Sequence, residues 1–243
     1  MEGGAGLPKG DSQQSPKIVG GIMSILFVLL TFLLLISITY FRRHGVETAV
    51  QVQSPAPRPP APQLARQLGF EIPKGYAFHP GHTWVLDEGR QNARIGLDSF
   101  AANLLGNIER IEIGALNRWV RQGQKLMTLT REGMSIELLS PIEGVITAVN
   151  HEAIKDPSLV LKDPYRNGWI CIVKSPEMAT NVKNLVQGPL VGAWLQNSVS
   201  RVTAMAQQMM PAMAQDGGLP VNGIMSHLDP DSQRKLIQEF FLS

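Results

Sequence analysis

The feature that most constrains this chain is a run of 24 residues without a charged side chain, IVGGIMSILFVLLTFLLLISITYF at 18–41. Coiled as a helix, such a run rises about 36 Å against roughly 30 Å of bilayer hydrocarbon. It predicts a transmembrane helix over 18–41, crossing with some tilt, behind an N-terminal tail at 1–17. Tyr40 and Phe41 at one end, with Arg42 and Arg43 directly after, suit the polar boundary of a membrane. A cleaved leader would have a shorter apolar stretch and an Ala-x-Ala-like site, whereas Arg42-Arg43-His44 follows here. Positive charge is nearly balanced across the run: Lys9 and Lys17 precede it, and Arg42, Arg43 and the more distant Arg58 follow. The compact Arg42-Arg43 pair tips the expectation towards a single-pass protein with a cytoplasmic carboxy-terminal domain.

Residues 42–73 read as a linker. Its stretch Ser54-Pro-Ala-Pro-Arg-Pro-Pro-Ala-Pro62 lacks the backbone donors that a helix or central strand needs. Extended polyproline II, a semi-rigid tether, is the expectation; a docking motif for a proline-binding module is the alternative. Net charge is only +2, so a concentrated basic face for nucleic acid is not expected. The single cysteine, Cys171, rules out an intrachain disulfide. Its apolar run Trp169-Ile-Cys-Ile-Val173 predicts a buried strand thiol rather than a nucleophile.

From 74 to 176 short apolar runs alternate with glycines and turn residues, the pattern of a small, mainly β domain. The runs are Thr83–Leu86, Ala93–Gly96, Ile108–Ile113, Leu126–Thr130, Ser135–Leu139, Gly144–Val149 and Gly168–Val173. One helix interrupts them, capped by Asp98 and closed by Gly106, with Phe100, Ala101, Leu104 and Leu105 as its apolar stripe. Residues 177–243 read as helical. Leu190, Val191, Trp194, Leu195, Val202, Met205 and Met209 recur at helical spacing between Pro189 and Pro211, and a last helix starts at Asp229-Pro230. The methionines at 205, 209, 210, 213 and 225 are expected to pack against the β domain or each other; an adaptable partner groove is the alternative.

Several motifs of 74–176 resemble one family. His82-Thr-Trp84-Val85 is similar to His-Glu-Trp-Val, and Ile95-Gly-Leu-Asp-Ser-Phe-Ala101 to the glycine-hydrophobic-Thr/Asp-aromatic-Ala stretch that opens a helix. Leu105-Gly-Asn-Ile108 matches Leu-Gly-Asp, and Ser140-Pro-Ile-Glu-Gly144 matches Ser-Pro-Val-Ser-Gly. Asp163-Pro-Tyr-Arg-Asn-Gly-Trp169 is the most specific piece, similar to Asp-Pro-Tyr-x-x-Gly-Trp. The chain thus resembles the glycine cleavage system H protein over nearly a whole domain. The resemblance implies a barrel-sandwich hybrid, shared with lipoyl and biotinyl domains. It also implies a lysine at a β-hairpin tip, joined to lipoate by an amide, whose arm swings between the enzymes of glycine decarboxylation.

That lysine is missing. Counted seven residues back from Ser140, its position is Gly133, and the hairpin reads Leu129-Thr-Arg-Glu-Gly-Met-Ser-Ile136. Arg131 is no acylation acceptor, and Lys125 and Lys162 lie away from the tip. No lipoate is therefore expected, and no catalytic or metal-binding residues. His79-Pro-Gly-His82 offers too few ligands for a metal; Asp163 and Glu132 form no carboxylate pair; and Asp216-Gly-Gly218 follows no strand that would make it a phosphate loop.

The residues support best a membrane-anchored docking or scaffold module without enzyme activity. Arg131, Glu132, Gly133 and Met134 form its candidate surface for a protein partner. One alternative is a true H protein bearing an aminomethyl-lipoyl arm. A second is a periplasmic adaptor of an efflux or secretion system, which would need a long coiled-coil hairpin where this chain has a short turn.

Overall fold

The computed structural model describes residues 26–38, 64–209 and 223–241. The chain divides into two units, Met1–Arg58 and Pro59–Ser243.

In the first unit, residues 26–38 form helix α1. Its large apolar side chains, among them Phe27, Leu30, Phe32 and Leu33, are exposed all round. Thr31 satisfies its hydroxyl within the helix, donating to the Val28 carbonyl at 2.8 Å. The remainder of the 18–41 run lies outside the described residues. Among the described residues no helix is long and apolar enough to cross a membrane.

The second unit opens with a hairpin of β1 (Leu64–Gln67) and β2 (Phe70–Pro73). The segment expected as the end of the linker is therefore ordered structure. The following strands are β3 (Tyr76–Phe78), β4 (Thr83–Gly89), β5 (Asn92–Leu97), β6 (Arg110–Ile113) and β7 (Trp119–Val120). Then come β8 (Lys125–Arg131), β9 (Met134–Leu139), β10 (Gly144–Val149), β11 (Trp169–Lys174) and β12 (Val186–Gln187). A seven-stranded antiparallel sheet has the order β12-β3-β4-β5-β11-β10-β7, and β6-β8-β9 form a three-stranded sheet.

Helix α2 (Ser99–Leu105) forms where expected, because both its ends are satisfied. Asp98 Oδ1 accepts from the Ala101 amide at 2.8 Å, and Gly106 takes the left-handed conformation at φ +67° and donates to the Ala102 carbonyl. Leu97, Phe100, Ala101, Leu104 and Leu105 are fully buried. Two further one-turn helices, α3 (His151–Lys155) and α4 (Ser158–Lys162), interrupt the stretch that reads as β in the sequence, and α5 (Met178–Val182) opens the region that reads as helical.

Residue 176 is no boundary in space. β12 pairs with β3, so the chain after 176 is built into the large sheet. Helix α6 (Leu190–Met209) buries Val191, Leu195, Val199, Val202 and Ala206. A 3₁₀ turn (Ile224–His227) and α7 (Pro230–Phe240) follow, with Asp229 capping α7 by accepting from the Asp231 and Ser232 amides. Met225 is fully buried, while Met205 and Met209 are half-buried against the same core. Met210 and Met213 lie outside the described residues.

Candidate functional site

β8 and β9 meet with Arg131 opposite Met134, leaving Glu132-Gly133 as a two-residue turn. Both turn residues have positive φ, +47° and +76°, the signature of a type I′ hairpin, whose twist matches that of the flanking strands. A Cβ at Gly133 would meet no heavy atom within 4 Å. A side chain at this position would therefore project into open space. Glycine stands here for its backbone freedom and not for want of room.

The turn is also fixed from outside. The Glu132 amide donates to Glu109 Oε1 at 3.0 Å. Glu132 and Gly133 are exposed, and Met134 is half-buried against the core.

Arg131 is not part of the exposed surface expected from the sequence: it is 0% exposed. Its Nε donates to the Leu105 carbonyl and its Nη2 to Ser226 Oγ, both at 2.8 Å, and Nη1 reaches Gln233 Oε1 at 3.5 Å. Nη2 also lies 2.9 Å from the carboxylate of Glu132. Gln233 in turn donates to the Met225 and Leu228 carbonyls at 2.8 and 3.0 Å. The guanidinium thus ties the hairpin tip to the end of α2 and to the carboxy-terminal segment.

Sequence reasoning missed these partners, although a signal was present. Met127, Leu129 and Arg131 share one face of β8 by simple alternation, and the first two are plainly core residues. Ser226 and Gln233 carried no such signal.

No lysine reaches the tip. Lys125, at the base of β8, forms an ion pair with Glu137 across the hairpin. Lys162, on α4, donates to Ser158 Oγ at 3.1 Å. The tip therefore does not fit an amide-linked lipoate, since Gly133 supplies no amine.

His79 and His82 are structural. The ring of His82 stacks on Phe100 and Trp194, with centroids at 4.4 and 4.7 Å, and its Nδ1 donates to Asp98 Oδ2 at 2.7 Å. His79 Nδ1 accepts from the Gly81 amide at 3.0 Å; burial, then the neighbouring His82, hold its pKa below the usual 6.5. Among the described residues no group of three His, Cys, Asp or Glu could hold a metal ion. Cys171 is buried, and desolvation pushes its thiol up to about 12. Asp163 closes its own loop, accepting from the Asn167 amide group at 2.8 Å and, through its carbonyl, from the Gly168 amide.

Residues 76–197, which hold the β8–β9 hairpin and the aromatic cluster of Tyr76, Trp84 and Tyr165, match the family profile described as Glycine cleavage H-protein. The chain belongs to the glycine cleavage H-protein family. It is 36% identical over 94 residues to the probable glycine cleavage system H protein 1, mitochondrial, of Dictyostelium discoideum, covering 39% of this chain and 64% of that protein. It is 31% identical over 109 residues to the glycine cleavage system H protein of Thermus thermophilus, covering 45% of this chain and 84% of that one. The crystal structure of an H protein from Mycobacterium marinum superposes with a TM-score of 0.45 at 23% identity, over 52% of this chain and 98% of that one. H proteins carry lipoate and are carriers, not catalysts. In this member Glu132 and Gly133 form the tip of the β8–β9 hairpin.

Proposed function

We propose that this chain is a membrane-anchored H-protein domain that carries no lipoyl arm and serves as a docking module for a protein partner. The observation that carries this reading is the tip itself: the tight turn persists, aimed into open space, with Gly133 where an acylated amine would have to stand. The anchor is supported by the uncharged run at 18–41 and by the exposed apolar surface of α1. A helix apolar on every side has no aqueous face and suits lipid. The partner-facing surface is Glu132, Gly133 and Met134, with Arg131 holding it from within. The Arg42-Arg43 pair supports a cytoplasmic position for the domain, against Lys9 and Lys17 on the other side of the run.

The rival reading, a working aminomethyl carrier, is favoured by what the relatives are called. It requires an acylated lysine elsewhere, at Lys125 or Lys162. Intact mass of the protein purified from its native membranes, with peptide mapping of 121–143, separates the two. An unmodified mass is expected; a lipoyl-sized increment on any lysine would overturn the non-carrier reading. Extraction of the same membranes with alkaline carbonate tests the anchor, and release of the chain into the supernatant would refute it.

A further inference from the structure

The large apolar side chains of Pro59–Ser243 are almost all turned inward. Among its described residues the exposed ones are Leu116, Trp119 and Leu190. Leu116 and Trp119, 50% and 46% exposed, sit three residues apart in the sequence Leu116-Asn-Arg-Trp-Val-Arg121. The two exposed arginines between and beside them, Arg118 and Arg121, have no ion-pair partner among the described residues.

The fold presents this stretch at an edge, because β7 is the outermost strand of the large sheet. Trp119 stands opposite Val145, and Val145 opposite Lys174. Directly opposite residues share a face, so an indole, a half-buried valine and an exposed ammonium form one row. Of the carboxylates close in sequence, Glu112 is held by Arg110 at 2.9 Å, and Glu143 stands just before β10.

We propose that the Leu116–Arg121 edge, together with Lys174, docks on an anionic phospholipid surface, with Leu116 and Trp119 at headgroup depth and the cations on lipid phosphates. This rests on the membrane anchor proposed above. Indole prefers the boundary between water and hydrocarbon, and arginine near an anionic leaflet is attracted to it. About twenty residues separate Arg43 from Leu64, so the tether keeps the edge at high effective concentration near the bilayer. A peptide adding to the sheet is a poorer occupant: β7 offers only two residues of ladder.

The test uses the full chain in nanodiscs of phosphatidylcholine, alone or mixed with phosphatidylglycerol, whose acyl chains are brominated near the headgroup. The tryptophans are Trp84, Trp119, Trp169 and Trp194, so residues 18–41 contribute no tryptophan signal. Bromine quenching is expected in the anionic discs and is lost in Trp119→Phe. Arg118→Gln with Arg121→Gln lowers the docked-to-undocked ratio roughly twenty-five-fold, at about fivefold for each arginine. If the chain stays in the discs but quenching is absent, or is the same in Trp119→Phe, the lipid-docking proposal falls while the anchor stands. If the chain does not stay in the discs at all, the anchor falls and the proposal with it.

Discussion

A methyl group added at Gly133 would touch nothing, whereas one added at Gly96 would lie 2.5–2.9 Å from the indole of Trp84. The two glycines are therefore needed for different reasons, and their alanine variants separate those reasons. Gly133→Ala carries only the left-handed backbone penalty, about 1 kcal/mol. Gly96→Ala must displace a fully buried tryptophan whose Nε1 is fixed to the Leu97 carbonyl at 2.9 Å; overpacking of that kind costs about 3 kcal/mol. Urea unfolding of the two variants checks the order, and a Gly133→Ala loss as large as that of Gly96→Ala would show that the tip is packed rather than free. Gly133 was legible in the sequence because its turn and its distance from Ser140-Pro141 fix its place. The space that Gly96 leaves for Trp84 was not, because it arises only when β4 and β5 pair with Trp84 opposite Gly96.

The carboxy-terminal segment behaves as part of the H-protein domain. Phe240 and Phe241 are buried, Phe240 lies 5.4 Å from the Phe100 ring, and the Gly223 amide donates to the Asn103 carbonyl at 2.8 Å. Arg131 joins this segment to the tip, and its removal would leave the Leu105 carbonyl, Ser226 and Gln233 without their donor. Arg131→Ala is expected to destabilise the unit by about 3 kcal/mol, since buried polar groups lose their partner and a cavity opens. The denaturant midpoint measures this, and a loss below about 1 kcal/mol would mean that the guanidinium does not couple tip and segment. The helices with clear caps, α2 and α7, were readable from Asp98, Gly106 and Asp229-Pro230. The β1–β2 hairpin was not: its turn places Leu68 at φ +55° before Gly69, where Asn or Asp would have advertised it. β12 also escaped notice, because two residues set no period and only pairing with β3 defines them.

Across the whole molecule, buried titratable groups set the pH range of stability. Burial raises the Cys171 thiol from 9.0 to about 12; burial, offset in part by Arg94, raises Tyr76 from 10.0 to about 12. Tyr165 is raised as well, mainly by burial, its hydroxyl donating to the Glu71 carbonyl and accepting from the Ser99 amide at 3.0 Å. Each group favours the fold while it stays protonated. Its contribution is therefore complete below the unfolded pKa and is lost as pH rises towards the folded one. At the acid end His79 has the opposite sense: its folded pKa lies below 6.5, so the unfolded chain binds the proton more readily and stability falls as pH drops below that value. Stability should hold a plateau between about 6.5 and 9 and then decline at up to about 1.4 kcal/mol per pH unit for each titrating group. Urea midpoints measured across pH at constant ionic strength check the profile. Cys171→Ala should flatten the first part of the alkaline decline, and His79→Gln the acid one. The same burial keeps Cys171 unreactive in the native state, so alkylation at pH 8 should track global unfolding; labelling faster than unfolding would show that β11 opens locally and that the core around it is less closed than its packing implies.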